Sequence, residues 1–232
     1  ANRVSHTLGY NLQIKHQAGR PAGHADRYDT VIRYNVFSKQ DAIPGPQARP
    51  NVLLGHFPLA GAGSEDRYLV YGNFFQHNPS EALLKAEGRV VLYDNVFVNG
   101  GGDAIHIQPH NDGPRDLAIF SNTVLASGTG IRVRHAVGTP YRQRVLANVI
   151  AASTPLQAVE AAYNVALAYR PDLLDVAVSD LTPDLLGPHS QGGRLPQDLV
   201  RELVAYPGWQ AAAYPGASVS SALQHTLDSS WP

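Results

Sequence analysis

Lys85, His106, Arg132 and Arg134 are the residues of this sequence whose types and spacing suit joint action on an anionic substrate. They sit in short stretches that alternate apolar and polar residues: EALLKAE (81–87), DAIHIQPH (103–110) and TGIRVRH (129–135). Period-two alternation puts Ile105 and Ile107 on one face of a strand, with His106 and Gln108 on the other. It likewise sets Ile131 and Val133 against Arg132 and Arg134, and Leu12 and Ile14 against Gln13 and Lys15. Arg and Lys neutralise carboxylates, and Lys or His can move a proton. Together they fit β-elimination of a uronic-acid polymer, which needs the C5 carboxylate neutralised, a base for the adjacent proton and an acid for the leaving oxygen. Lys85 and His106 are the base and acid candidates, and Arg132 and Arg134 the carboxylate binders. Lys15, His56, Glu87, Gln108, His110 and His135 are candidates to line the path of the substrate.

If these strands stack, one outer row reads Gln13, Leu53, Leu83, His106 and Arg132, and the next reads Lys15, Gly55, Lys85, Gln108 and Arg134. Lys85 and His106 then become diagonal neighbours, about 8 Å apart at Cα. Glu87, His110 and His135 fall at strand exits, and loops 17–29, 39–50 and 58–67 rim a groove. The plainer reading is a solvated polar face on a binding or structural protein without catalysis. A glycoside hydrolase is a third reading, but it calls for two carboxylates about 5–9 Å apart. Asp103 in GGDAIHI has no such partner, and Gly101, Gly102 and Asp103 read as a turn before the strand.

The elements that would position these residues come from a repeat. One motif occurs five times: TVIRYNVF (30–37), YLVYGNFF (68–75), VVLYDNVF (90–97), LAIFSNTV (117–124) and QRVLANVI (143–150). It aligns on Asn35, Asn73, Asn95, Asn122 and Asn148, at intervals of 38, 22, 27 and 26 residues, with Asn2-Arg3-Val4 as a truncated sixth copy. Aliphatic residues precede each Asn by three, and large apolar residues follow by two. Intervals of this size suit one turn of a β solenoid, whose stacked strands lie about 4.8 Å apart. At that spacing the carboxamides bond to their counterparts above and below, forming a structural ladder. A β-sandwich does not call for one repeated Asn column.

Composition narrows the classes. The net charge is −1, which lacks the basic excess of a nucleic-acid binder. No apolar run approaches the roughly 18–20 residues of a membrane span. Without Cys, no disulfide, zinc-thiolate site or thiol nucleophile is available. The chain begins with Ala in mid-pattern and contains no Met. It reads as a processed chain or a fragment, with a further N-terminal part of the same protein as one expected partner.

The Asn columns, the N-V-F turns and the strands GDAIHI and GTGIRVR resemble the pectin-lyase-like superfamily over residues 1–168. The likeness is to bacterial β-helix repeat proteins and, more distantly, to the alginate lyase and chondroitinase B group. This resemblance implies an all-β, right-handed parallel β-helix, an acidic polysaccharide as partner, calcium as a possible cofactor and an extracellular or periplasmic location. In that group a Lys and an Arg on neighbouring coils act together, which Lys85 with Arg132 or Arg134 matches loosely. Fold alone does not fix chemistry, since such solenoids include lyases, hydrolases, esterases, epimerases and adhesins. Residues 169–232 read differently. Pro-rich turns lead to PQDLVRELVAY (196–206), a short amphipathic helix, and the segment is expected to cap the open end of the solenoid.

Overall fold

The computed structural model describes the chain apart from residues 16–17, 26, 40–43, 56, 111–112, 135–139, 159, 188–192 and 230–232. The fold is mostly β, and the strand pairings described are all parallel, consistent with a parallel solenoid. Each coil visits three strand series in turn. The first series forms a six-stranded flank sheet: Asp29–Arg33, Arg67–Tyr71, Gly88–Tyr93, Pro114–Phe120, Gln143–Leu146 and Glu160–Ala162. The second follows the Asn of each motif: Arg3–Val4, Val36–Ser38, Phe74–Gln76, Val96–Asn99, the start of Thr123–Val133, the start of Val149–Gln157, and Val165–Leu167. The third carries the candidate chemistry: Leu12–Ile14, Val52–Leu54, Leu84–Ala86, Ile105–Ile107 and the far halves of the two long strands.

The corner between the first and second series is built by local chemistry. The residue before each Asn is left-handed: Tyr34, Gly72, Asp94, Ser121, Ala147 and Tyr163 have φ of 59, 62, 49, 51, 54 and 60°. One left-handed residue turns the chain sharply, and the Asn satisfies the backbone groups the turn exposes. The carboxamide Nδ2 of Asn35 donates to Asn73 Oδ1 at 3.0 Å, and the pattern continues through Asn95, Asn122 and Asn148 at 2.9–3.0 Å. Asn2 joins at one end (3.1 Å to Asn35), and Asn164 at the other (2.8 Å from Asn148). Asn164 has Ala161 and Ala166 where the other motifs carry large apolar residues, so its membership was hidden. A second polar column marks the next corner: Asn78 donates to Asn51 Oδ1 at 2.9 Å, and the Asn78 N–H donates to Asn99 Oδ1 at 3.0 Å.

Inside the coils, Phe37, Phe75 and Phe97 stack with centroids 5.2 and 4.5 Å apart, among Val52, Leu84, Leu92, Ile105, Ile119 and Ile131. Burying such side chains contributes about 1.5–3 kcal/mol each.

Two expectations need correction. Alternation placed Leu83 beside His106, but Lys85 is the residue paired with His106, and the row runs Gln13, Leu53, Lys85, His106, Arg132, Gln157. Ala82, Leu83 and Leu84 are all apolar and buried, so hydrophobicity left the register open by two residues. The C-terminal segment, expected over the open end, lies along the side of the stack. It contains α1 (Val178–Leu186), α2 (Gln197–Leu203) and α3 (Ser221–Asp228). Leu199 and Leu203 of α2 pack on the outer face of the flank sheet against Leu69, Tyr71, Val91 and Tyr93. Leu181 and Leu185 of α1 and Leu223 of α3 pack with Val36, Phe74, Val96, Leu125 and Val149. Between them the chain crosses the row of left-handed residues: Trp209 Nε1 donates to Ser121 Oγ (3.2 Å) and the Gly216 N–H to the Ala147 carbonyl (2.9 Å). Strands apolar on both faces, such as YLVY and VVLY, call for a covering layer, and the tail supplies it.

Candidate functional site

The third strand series sets Lys85, His106 and Arg132 side by side on three consecutive parallel strands. Adjacent members of the row are therefore one strand spacing apart, about 4.8 Å at Cα, not diagonal. Beside them lies a cleft of about 240 Å³, lined by Tyr10, Lys15, Arg49, Pro50, Leu53, Glu81, Lys85, Glu87, Gln108 and His110 among others. The cleft thus joins three cations, Lys15, Arg49 and Lys85, with two carboxylates.

Both carboxylates already have partners. Glu81 forms an ion pair with Lys85 Nζ. Glu87 is buried at 2% exposure, and its Oε2 accepts the His110 N–H at 2.9 Å. Glu87, a candidate to line the path of the substrate, is part of the cleft wall, where it also holds the strand exit.

His106 is 7% exposed although it occupies the outer row. Asp103 Oδ2 stands 2.8 Å from its Nε2, at ion-pair distance but outside the direction required of a ring N–H hydrogen bond. Burial is the main force lowering the imidazole pKa; Asp103 opposes it, and Arg132 and Lys85 add to it. The net result is an imidazole below its ordinary value, hence neutral at neutral pH. Burial pushes Asp103 up, but the Thr129 N–H and the charges of His106 and Arg132 outweigh it and hold the carboxyl below the usual range. Gly128 permits this arrangement, because a Cβ there would meet Asp103 Oδ1 at 2.2 Å.

Arg132 is held by its neighbours. Its Nε donates to Gln157 Oε1 and its NH2 to Thr129 Oγ1, both at 2.8 Å, and its NH1 lies 4.0 Å from Asp103. Arg134 is exposed and lies outside the cleft wall. Lys15, Gln108 and His110 line the cleft, whereas His56 and His135 fall outside the described residues. Glu81, Arg49 and Tyr10 were not singled out by sequence. Glu81 reaches Lys85 across a turn, and Arg49 arrives on a loop, so neither had a periodic signal. Asp103 lies three residues before His106, and its reading as a turn residue concealed a second role.

The loop at 57–64 is fastened to the flank sheet. The buried Arg115 guanidinium donates to the carbonyls of Phe57 (3.2 Å), Pro58 (3.1 Å) and Ser64 (2.8 Å). Among the described residues, no group of three or more His, Cys, Asp or Glu side chains is placed to hold a metal ion. Comparison with known proteins adds no relative to these findings: no family model, curated protein or solved structure matches the chain.

Proposed function

We propose that this chain is a right-handed parallel β-helix of the pectin-lyase-like kind that binds a uronate-containing polysaccharide in the cleft and cleaves it by β-elimination outside the cytoplasm. The observation that carries the reading is the lateral row Lys85–His106–Arg132 beside a cleft walled by Lys15, Arg49 and Lys85. Lys15 and Arg49 meet the uronate carboxylate, lowering the cost of negative charge at C5. His106, neutral at neutral pH and buried beside the cleft in the free chain, takes the C5 proton after its ring swings out toward the bound polymer. The electron pair forms the C4–C5 double bond, the C4–O bond breaks, and the Lys85 ammonium protonates the leaving oxygen. Arg132 supports the row electrostatically and keeps Asp103 ionised beside the imidazole.

A second reading, glycan binding without cleavage, is favoured by the burial of His106 and the ion pair that engages Lys85 with Glu81. Incubation with polygalacturonate, alginate and glycosaminoglycans, with and without calcium, separates the two. Growth of unsaturated-uronate absorbance supports elimination. Retention of the polymer with no product supports binding alone, and neither result on any polymer sinks both.

A further inference from the structure

Asp94 is one of the left-handed residues at the ladder corner, and the C-terminal tail closes over it. Its side chain is 7% exposed, and among the described residues its Oδ1 accepts one long hydrogen bond, 3.3 Å, from the Ser218 N–H. No cationic side chain among the described residues acts on it. Arg33, on the same outer face, is engaged with the Tyr71 hydroxyl at 3.0 Å and lies over the Tyr34 ring. The other titratable groups facing this corner are the phenols of Tyr34, Tyr71 and Tyr93, while the tail brings Gln210, Ser218 and Ser220. Beside the carboxyl is a cavity of about 40 Å³ lined by Tyr34, Tyr71, Gly72, Gln210, Ser218 and Ser220. That volume admits one ion or one water.

A buried carboxylate without a counter-charge is costly, and it resolves the cost by taking a proton or a cation. We propose that Asp94 and the cavity beside it bind one small monovalent cation, sodium or potassium, which fastens the C-terminal tail to the turn row. The lining residues offer one carboxylate, an amide oxygen and hydroxyls, all favourable to a single positive charge. A divalent ion is a poor match, because it demands more anionic oxygen than one carboxylate supplies. Burial pushes the Asp94 carboxyl up to about 7. Proton and metal ion therefore compete for the same oxygens, with the ion favoured above neutral pH.

The test is thermal unfolding of the full chain in sodium, potassium or choline chloride at equal ionic strength, choline being too large for the cavity. At pH 8 sodium or potassium is expected to raise Tm by about 2–4 °C over choline. The gain disappears at pH 5 and in Asp94→Asn, whose side chain keeps the volume and tolerates the left-handed backbone. Amide exchange of Ser218 in the unmodified chain gives a second measure: sodium or potassium at pH 8 slows it relative to choline. Identical Tm and identical Ser218 exchange in all three salts would overturn the proposal, leaving a protonated carboxyl beside water. A gain of equal size in Asp94→Asn would overturn it as well.

Discussion

Asn95 is bonded twice to Asn122: its backbone N–H and its Nδ2 both reach Asn122 Oδ1, at 3.1 and 3.0 Å. Asn122 in turn donates to the carbonyls of Leu92 (2.9 Å) and Phe120 (3.1 Å). One buried side chain thus satisfies groups on two coils. Asn122→Ala would strand several of them at once and is expected to cost about 3–5 kcal/mol in denaturant unfolding. Asn164→Ala, at the half-buried end of the ladder, should cost about 1–2 kcal/mol. Equal losses at the two positions would contradict a cooperative ladder.

Gly72 is the one glycine in the left-handed row, and Tyr34 explains it. A Cβ at position 72 would lie 2.8 Å from the Tyr34 ring, on a backbone with φ of 62°. Gly72→Ala is expected to destabilise by about 1–3 kcal/mol. Pairing it with Tyr34→Ala should recover part of that loss, which a double-mutant cycle measures.

Lys39 is buried at 1% exposure, with its Nζ donating to the Arg49 carbonyl at 2.7 Å. Burial lowers its pKa from 10.5 to about 8, opposed by the charge of Glu81 and assisted by that of Arg49. Between these two values the unfolded chain binds more protons than the folded one, so stability rises with pH through that window. At neutral pH the buried ammonium opposes folding. Lys39→Met is expected to stabilise by about 1–3 kcal/mol at pH 7 and to abolish the rise at alkaline pH. The Arg49 carbonyl keeps a donor, Asn78 Nδ2, at 2.8 Å. A Met variant less stable than the parent at pH 7 would show that the ammonium is needed.

The imidazole of His106 should titrate below the ordinary histidine value by NMR. Asp103→Asn removes an interaction that raises it and should lower it further, whereas Lys85→Met removes one that lowers it and should raise it. Shifts opposite to these would mean that the three groups do not share one electrostatic environment.

The repeat was legible because a ladder needs the same side chain at every turn, and Asn cannot be exchanged there without stranding backbone groups. Inward residues such as Ile105, Ile107, Ile131 and Val133 were legible for the same reason, since alternation follows the pleat. Register at 81–87 was not, because Ala82, Leu83 and Leu84 are equally buried. The path of the tail also escaped the sequence. Leu199 and Leu203 announce a helix with an apolar stripe, but not whether that stripe meets an open coil end or the flank of a sheet. The cleft was half legible: Lys15, Lys85 and Gln108 follow from strand alternation, while Tyr10, Arg49 and Glu81 lie outside the strands and obey no period.

The most direct test of the proposed site is the affinity for a polyuronate compared with its neutral methyl ester, by calorimetry at two salt concentrations. Charged polymer should bind, the ester should bind at least tenfold more weakly, and Lys15→Ala and Arg49→Ala should each weaken binding of the charged form by about 1–3 kcal/mol. Equal affinity for polymer and ester, or affinity untouched by either substitution, would contradict an anionic glycan in this cleft.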